Sequence, residues 1–364
     1  MTAPVDSISF LGSVSFGWLH KRGGFVFDEA YFLDPRVHLE RERQIHAFVE
    51  GEFSEDPVYN LEAHLVQIEG RTRPVALVGP LQPNLILGAA AGAKFVFYGD
   101  RDADITPTPL ADLRSVDDLA GRDWAGTWPL SEFIERIHAL RESIGRTHRV
   151  IPPYFWDTTG RATIHGILTT AQKLMGERIF IELLDNPSFV HEFFAWITDA
   201  YIAQIRMFAE AAGMIITGLH IGDCSLCMVG PDQFTEFVLP HVNRLAREFG
   251  PLRFHSCGKV DHLLEAFKAV EGLGILNLGS GTSVRKMREL FGRVRIDLSP
   301  DVKLLTYGTP RDVDAWVRRT VDENGGGRLE FQDHLDLNQP VDNCLQMVRT
   351  LRELGVVCKR VPIF

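Results

Sequence analysis

Short apolar runs alternate with longer amphipathic stretches from about residue 149 to the end of the chain. Such alternation indicates βα units, in which helices separate parallel strands. Strands are predicted at residues 150–156, 214–223, 252–258, 274–280, 294–299 and 328–335. Helices are predicted at residues 230–249, 260–270, 284–291, 310–324 and 340–354. The pattern therefore predicts an α/β fold of the (β/α)8 TIM-barrel type.

The first 150 residues have a less regular pattern. A charged run from Asp34 to Val49 predicts a helix, and a loop rich in proline and aspartate follows at residues 100–109. No internal repeat or long linker interrupts the sequence. We predict a single domain over residues 1–364, in which residues 1–150 form an N-terminal elaboration with the early strands and residues 150–364 carry the site.

Composition and charge narrow the classes of function. The 364 residues are 45% hydrophobic and 24% charged, as in an ordinary globular protein with a large core. A net charge of -10 argues against a nucleic-acid partner. Apolar runs fall short of the ~20 residues of a membrane helix and no secretory leader is evident, so we expect a cytoplasmic protein. Five cysteines, an odd number, fit a reducing compartment better than a disulfide framework.

Polar residues capable of chemistry end the apolar runs of the later predicted strands. In a barrel of parallel strands these ends meet at one mouth, so residues far apart in sequence converge there. A single polar residue at a strand end is explained equally well as a helix cap. Five successive strands that end in such residues predict a functional site. The residues are Asp223, His255, Cys257, Asn277, Asp297 and His334.

His255 and Cys257 are the strongest candidates for metal ligands. Side chains two residues apart on a strand face the same side, so an imidazole and a thiolate would meet there, and this pair favours zinc. Cys224 and Cys227 end the preceding predicted strand, about 4.8 Å away, so either thiol could reach the same ion. Simple burial of these two thiols is an equally good interpretation. Three protein ligands would leave an open position, whereas four would close the site.

Two aromatic residues, Tyr154 and Trp156, stand at the end of the predicted strand at 150–156. They could form an apolar or aromatic wall for a substrate. Aromatic residues at this spacing belong more often to a protein core.

Several motifs resemble the uroporphyrinogen decarboxylase superfamily, most specifically its corrinoid and thiol methyltransferase branch. The segment from Phe254 to Lys259, which holds the His-Ser-Cys-Gly sequence, is the most specific of them. The segment from Gly230 to Pro240 adds to the resemblance. Shorter matches at residues 184–187, 297–301 and 338–343 extend it over most of the chain.

The resemblance implies a (β/α)8 barrel with zinc held by His255, Cys257 and a later cysteine near the last strand. This chain has no cysteine at that late position. His334 is the preferred substitute because imidazole binds zinc well, and Asp333, Cys227 and Cys224 are the alternatives.

The resemblance further implies a zinc-dependent methyltransferase that moves a methyl group between a methoxy or methylthio compound and a corrinoid (cobalamin) or thiol acceptor. The corrinoid would arrive on a separate protein, and a homodimer is expected from its general prevalence. Asp223 and Asp297 would orient substrate or transfer protons, and Asn277 would bind a ligand oxygen.

Two alternatives remain open. A metal-free lyase resembling the decarboxylases is the first, although the basic cluster that would hold tetrapyrrole carboxylates is not visible at residues 16–22. A non-catalytic barrel that binds ligands or docks a partner is the second.

Overall fold

The computed structural model describes residues 7–54, 59, 65–68, 71–356 and 358. Its strands are β1 (Ile8–Val14), β2 (Leu65–Ile68), β3 (Arg71–Leu77), β4 (Lys94–Val96), β5 (Asp104–Thr106), β6 (Arg149–Ile151), β7 (Arg161–His165), β8 (Gly218–Gly222), β9 (Leu252–Ser256), β10 (Leu273–Gly279), β11 (Arg295–Ser299) and β12 (Leu329–Leu335).

The α-helices lie mainly between these strands. They are α1 (Phe16–Gly23), α2 (Glu29–Leu33), α3 (Pro35–Glu52), α4 (Pro83–Ala90), α5 (Leu130–Ile144), α6 (Ile167–Met175), α7 (Arg178–Asp185), α8 (Pro187–Ala212), α9 (Pro231–Gln233), α10 (Leu239–Phe249), α11 (Leu264–Phe267), α12 (Val284–Phe291), α13 (Val302–Tyr307), α14 (Pro310–Asn324) and α15 (Val341–Glu353). A π-helical turn, Phe234–Val238, joins α9 to α10.

Seven parallel strands form one curled sheet in the order β1, β12, β11, β10, β9, β8, β7. The first strand therefore pairs with the last, with Ile8 opposite Leu329 and Val14 opposite Leu335. This is the strand arrangement of a TIM-type barrel, as the sequence predicts.

The chain between β1 and β7 continues the wall with shorter pairings. Strand β3 pairs in parallel with β6. Just after β6, the carbonyl of Tyr154 accepts a hydrogen bond from the N–H of Thr163 in β7, at 2.7 Å. On the other side, Gly12 of β1 forms an isolated parallel bridge with Tyr59.

Most predicted strand positions are confirmed, with small differences in their ends. The predicted strand at 150–156 is wrong beyond residue 151, because Tyr154 adopts a positive φ of 71° that a strand cannot contain. Strand β7 was not predicted. Three of its five positions are polar and face inward, so its sequence lacks an apolar run. The predicted helix at 260–270 is reduced to a short turn and α11.

The inner and outer faces of the barrel differ in polarity. On β9, Leu252 and Phe254 are buried toward the helices, while Arg253 and His255 face the interior. Strand β12 follows the same alternation, with Glu330 and Gln332 turned inward to the other strands' polar groups. The apolar outer face packs under the helices and holds the sheet, so the interior is free to carry charged and polar side chains.

No helix in the part of the chain that the structure describes is long and apolar enough to cross a membrane.

Asp333 lies on the outer face of β12, between the inward-facing Gln332 and His334, and its carboxylate accepts a hydrogen bond from the hydroxyl of Tyr59. The Cys344 thiol of α15 also contacts this carboxylate. Burial raises the pKa of Asp333 to about 6. The carboxyl group therefore holds its proton more tightly in the folded protein than in the unfolded chain, where the pKa is about 3.9.

We expect a pH-dependent stability term from Asp333. Because its folded pKa is the higher one, the stabilisation is complete below about pH 4 and is lost as the pH rises through about 6. Asp333→Asn removes this titration and should raise the free energy of unfolding at pH 7 by on the order of 2 kcal/mol. Urea unfolding from pH 4.5 to 7.5 measures it, with exposed Asp118→Asn as the control. Equal pH slopes in wild type and Asp333→Asn would refute the assignment.

Candidate active site

Three metal-binding side chains meet where β8 and β9 end. His255 lies on β9, Cys257 follows that strand, and Cys224 opens the 3₁₀ turn after β8. One ligand atom from each of these residues lies within 4.8 Å of the other two. The sequence prediction that His255 and Cys257 face one side of the chain is confirmed, and Cys224 joins them.

A backbone hydrogen bond between the ends of β8 and β9 holds these residues next to one another. The N–H of Asp223 donates to the carbonyl of His255 at 2.8 Å, so Cys224 starts its turn directly beside the histidine. The chain after Cys257 also packs very closely. A Cβ at Gly279 would lie 2.2 Å from the Cys257 carbonyl oxygen, so only glycine fits there.

The thiols of Cys257 and Cys224 have pKa values shifted in opposite directions. A hydrogen bond from Cys224 and the neighbouring His255 lower the pKa of the Cys257 thiol to about 4. The same hydrogen bond, together with burial, raises the pKa of Cys224. Cys257 is therefore a thiolate at neutral pH, and thiolate is the form that binds metal ions.

Asn277 fixes the orientation of the His255 ring. The Nδ2 of Asn277 donates to the backbone carbonyl of Asp297 at 2.9 Å, which turns its Oδ1 toward the ring. That oxygen lies 2.7 Å from His255 Nδ1. Since an amide oxygen only accepts, Nδ1 carries the hydrogen and Nε2 keeps the lone pair that a metal ion needs.

Two further histidines lie close to His255. Burial lowers the pKa of His165 to about 4, and the nearby charge of Lys173 acts in the same direction. Burial, and then the charge of Arg253, hold the pKa of His220 well below its usual range. Both rings are therefore neutral at pH 7. The sequence analysis missed them, although a polar residue at an inward strand position was the available signal.

Asp297 lies within an ionic network and not at an open mouth. Its side chain is 1% exposed and receives Arg253 Nε at 2.8 Å and Arg295 Nε at 2.6 Å. Arg295 also pairs with Glu330 at 2.6 Å. These ion pairs compensate the Asp297 and Glu330 carboxylates and join β9, β11 and β12. The predicted catalytic role of Asp297 stays a prediction.

Asp223 is fully buried and holds the start of α6. Its carboxylate accepts hydrogen bonds from the N–H groups of Leu168 and Thr169, at 3.3 and 2.9 Å, and from the Thr169 hydroxyl at 2.7 Å. The contacts of Asp223 are therefore those of a helix-capping residue. Its predicted catalytic role stays a prediction.

The remaining predicted ligands do not belong to the three-residue cluster. His334 pairs with the hydroxyl of Ser13 at 2.7 Å on the inner face of β12. Asp333 faces the opposite side of that strand. Cys227 is exposed, and its thiol donates to the Cys224 carbonyl at 3.3 Å. Cys224, an alternative in the sequence analysis, lies with His255 and Cys257, whereas His334 does not belong to that cluster. Which residue is the third zinc ligand stays a prediction.

The two predicted aromatic wall residues separate. Trp156 is 37% exposed and lines a cavity of about 310 Å³. Tyr154 is 1% exposed and packs in the core, where its hydroxyl donates to Gln204 at 2.5 Å. Trp156 therefore lies at a cavity and Tyr154 in the core. The substrate-binding role predicted for the two residues stays a prediction.

Comparison with known proteins gives a family and a fold. The sequence pattern of the family described as Uroporphyrinogen decarboxylase (URO-D) matches residues 75–353. No curated protein matches the chain. A methyltransferase from Methanosarcina mazei has a similar structure, with a TM-score of 0.65, 17% identity and coverage of 97% of this chain and 95% of the other. A B12-independent methionine synthase from Shewanella sp. W3-18-1, in complex with selenomethionine, has a TM-score of 0.46 and 13% identity, and the match covers 96% of this chain and 97% of the other.

We expect Asp223→Ala to destabilise the fold by roughly 2–4 kcal/mol, because two buried N–H groups at the start of α6 lose their acceptor. Urea unfolding measures this, with Asp112→Ala, which removes an exposed carboxylate, as the control. An unchanged free energy of unfolding would contradict the anchoring role and strengthen the catalytic one.

Proposed function

The chain belongs to the uroporphyrinogen decarboxylase family, and from this premise we propose that it is a zinc-dependent methyltransferase. The observation that carries the proposal is the cluster of Cys224, His255 and Cys257, whose ligand atoms lie within 4.8 Å of one another. Two sulfur donors and one imidazole favour zinc over magnesium or calcium. Three protein ligands leave one position for a substrate.

The residues around the cluster fit a zinc ion. Cys257 is already a thiolate, and Asn277 leaves the Nε2 lone pair of His255 available. The neutral rings of His165 and His220 add no positive charge beside the site. Bound zinc would supply a Lewis acid that polarises the donor heteroatom or lowers the pKa of a thiol acceptor.

In the proposed reaction the bond between the methyl carbon and its heteroatom breaks, and the heteroatom keeps the electron pair. A lone pair of the acceptor forms the new bond to carbon. The donor is a small molecule such as a methoxy or methylthio compound, and the acceptor is a thiolate or a cobalt(I) corrinoid, brought by a corrinoid protein. The Methanosarcina mazei protein supports this choice only as an example of a methyltransferase with this fold.

Decarboxylation of a tetrapyrrole is less well supported. That substrate class carries several carboxylates and needs free cations to bind them. Two inward-facing guanidinium groups, Arg253 and Arg295, are already paired with Asp297 and Glu330, and Arg161 of β7 lies outside that ion-pair network.

Zinc retention tests the proposed cluster. We expect about one zinc per chain after dialysis, and less than about a tenth of that in Cys224→Ser, His255→Ala or Cys257→Ser. Elemental analysis measures the content, and circular dichroism checks that each variant is folded. Cys227→Ser and His334→Ala are the matched controls and should keep their zinc. Zinc-free wild-type protein, or loss in the controls alone, would refute the ligand set.

Methyl transfer is tested by absorbance with cob(I)alamin and a panel of methoxy, methylthio and methylated ammonium compounds. We expect zinc-loaded protein to form methylcobalamin from at least one donor, and His255→Ala to lose at least about a hundredfold in rate. The methyltransferase proposal is contradicted if no donor yields methylcobalamin and if, in the reverse direction, no thiol consumes it.

A further inference from the structure

Two cysteines of the cluster follow the ends of neighbouring parallel strands. Gly222 of β8 lies opposite His255 of β9, and Cys224 and Cys257 each come two residues after a member of that pair. Neighbouring strands lie about 4.8 Å apart, and the two residues of a disulfide have Cα atoms about 4.4–6.8 Å apart. The spacing of these strand ends therefore falls within the range that a disulfide spans.

The two thiols also lie close together. Both are free, and their Sγ atoms lie within 4.8 Å of each other. An S–S bond is about 2.05 Å long, so the two sulfur atoms together need to move by at most roughly 3 Å. The hydrogen bond from Asp223 to His255 and the close packing of Cys257 on Gly279 hold the backbone in place. Rotation of the two side chains is the movement that joins them.

The pair is open to small oxidants. Cys257 is exposed, and Cys224 is half-buried beside it. Cys344, by contrast, is fully buried. Cys227 is exposed, but its thiol donates to the Cys224 carbonyl at 3.3 Å and does not belong to the close group. Cys257 is therefore the sulfur that an oxidant meets first, and Cys224 is the sulfur placed to react with it next.

We propose that Cys224 and Cys257 form a reversible disulfide when the metal-free chain meets a peroxide, so that the cluster holds either a metal ion or a disulfide. The two states exclude each other because they use the same two sulfur atoms. The exclusion rests on the proposed zinc site, whereas the disulfide itself does not. Peroxide thereby removes the metal site, and a dithiol restores it.

The oxidation balances in two steps. The Cys257 thiolate attacks one peroxide oxygen, the O–O bond breaks, and hydroxide leaves and takes up a proton, so that Cys257 becomes a sulfenic acid. The sulfur of Cys224 then attacks the sulfur of Cys257, the S–O bond breaks, and the hydroxide that leaves takes the proton of the Cys224 thiol. The two thiols lose two electrons to the peroxide, and the products are one disulfide and two water molecules.

The nearby thiol decides whether the oxidation is reversible. A sulfenic acid that has no thiol within reach is oxidised further to sulfinic acid, which a dithiol does not reduce. Cys224→Ser should therefore change a reversible oxidation of Cys257 into a permanent one.

Mass spectrometry of the full chain, freed of metal by a chelator and treated with a small excess of hydrogen peroxide, tests the pair. We expect the intact mass to fall by about 2 Da and two of the five thiols to be lost, and dithiothreitol to restore both. Peptide mapping should join Cys224 to Cys257, and the matched control Cys227→Ser should form the same disulfide. Cys224→Ser should instead gain about 32 Da at Cys257, which dithiothreitol does not remove. Circular dichroism checks that each variant is folded.

A wild-type chain that keeps all its thiols, gains oxygen without a disulfide, or joins Cys227 to Cys257 overturns the inference. The treatment is repeated on zinc-loaded protein, which separates the two proposals. Bound zinc should slow disulfide formation at least about tenfold, and an equal rate contradicts the exclusion. Disulfide formation in a chain that retains no zinc supports the disulfide and refutes the zinc site. Zinc retention in a chain that never forms the disulfide does the reverse.

Discussion

The parallel register of β8, β9 and β10 is the constraint on which the site depends. Gly222 lies opposite His255, which in turn lies opposite Asn277. Because side chains alternate along a strand, a shift of one residue would turn His255 into the helix layer and separate it from Cys224 and Asn277. The same register therefore places Asn277 where it sets the tautomer of His255, and it places Cys224 beside Cys257.

Charge inside the barrel is carried largely by paired groups. Asp297 and Glu330 pair with Arg253 and Arg295, and two histidines are kept neutral by burial. These ion pairs join β9, β11 and β12, so the strands that carry the site are linked by side chains as well as by backbone hydrogen bonds.

The sequence predicted the later strands and the pair His255 and Cys257 well, because each strand has apolar outer positions and the spacing of two fixes a shared side. It could not decide between Cys224 and His334, since that choice depends on which strand ends lie side by side. It also made the strand at 150–156 too long, because the pattern does not show that Tyr154 adopts a left-handed backbone conformation.

The pairing of β1 with β12 has a consequence for how the molecule is made. Ser9 and Glu330, joined across these strands, are 321 positions apart in the chain. During synthesis the backbone edge of β1 has no partner until the last strand leaves the ribosome, and contacts of such sequence separation form slowly. Ser9 and Ser13 add polar groups to one face of β1 while its edge is unpaired, which reduces the tendency of this strand to associate with other nascent chains.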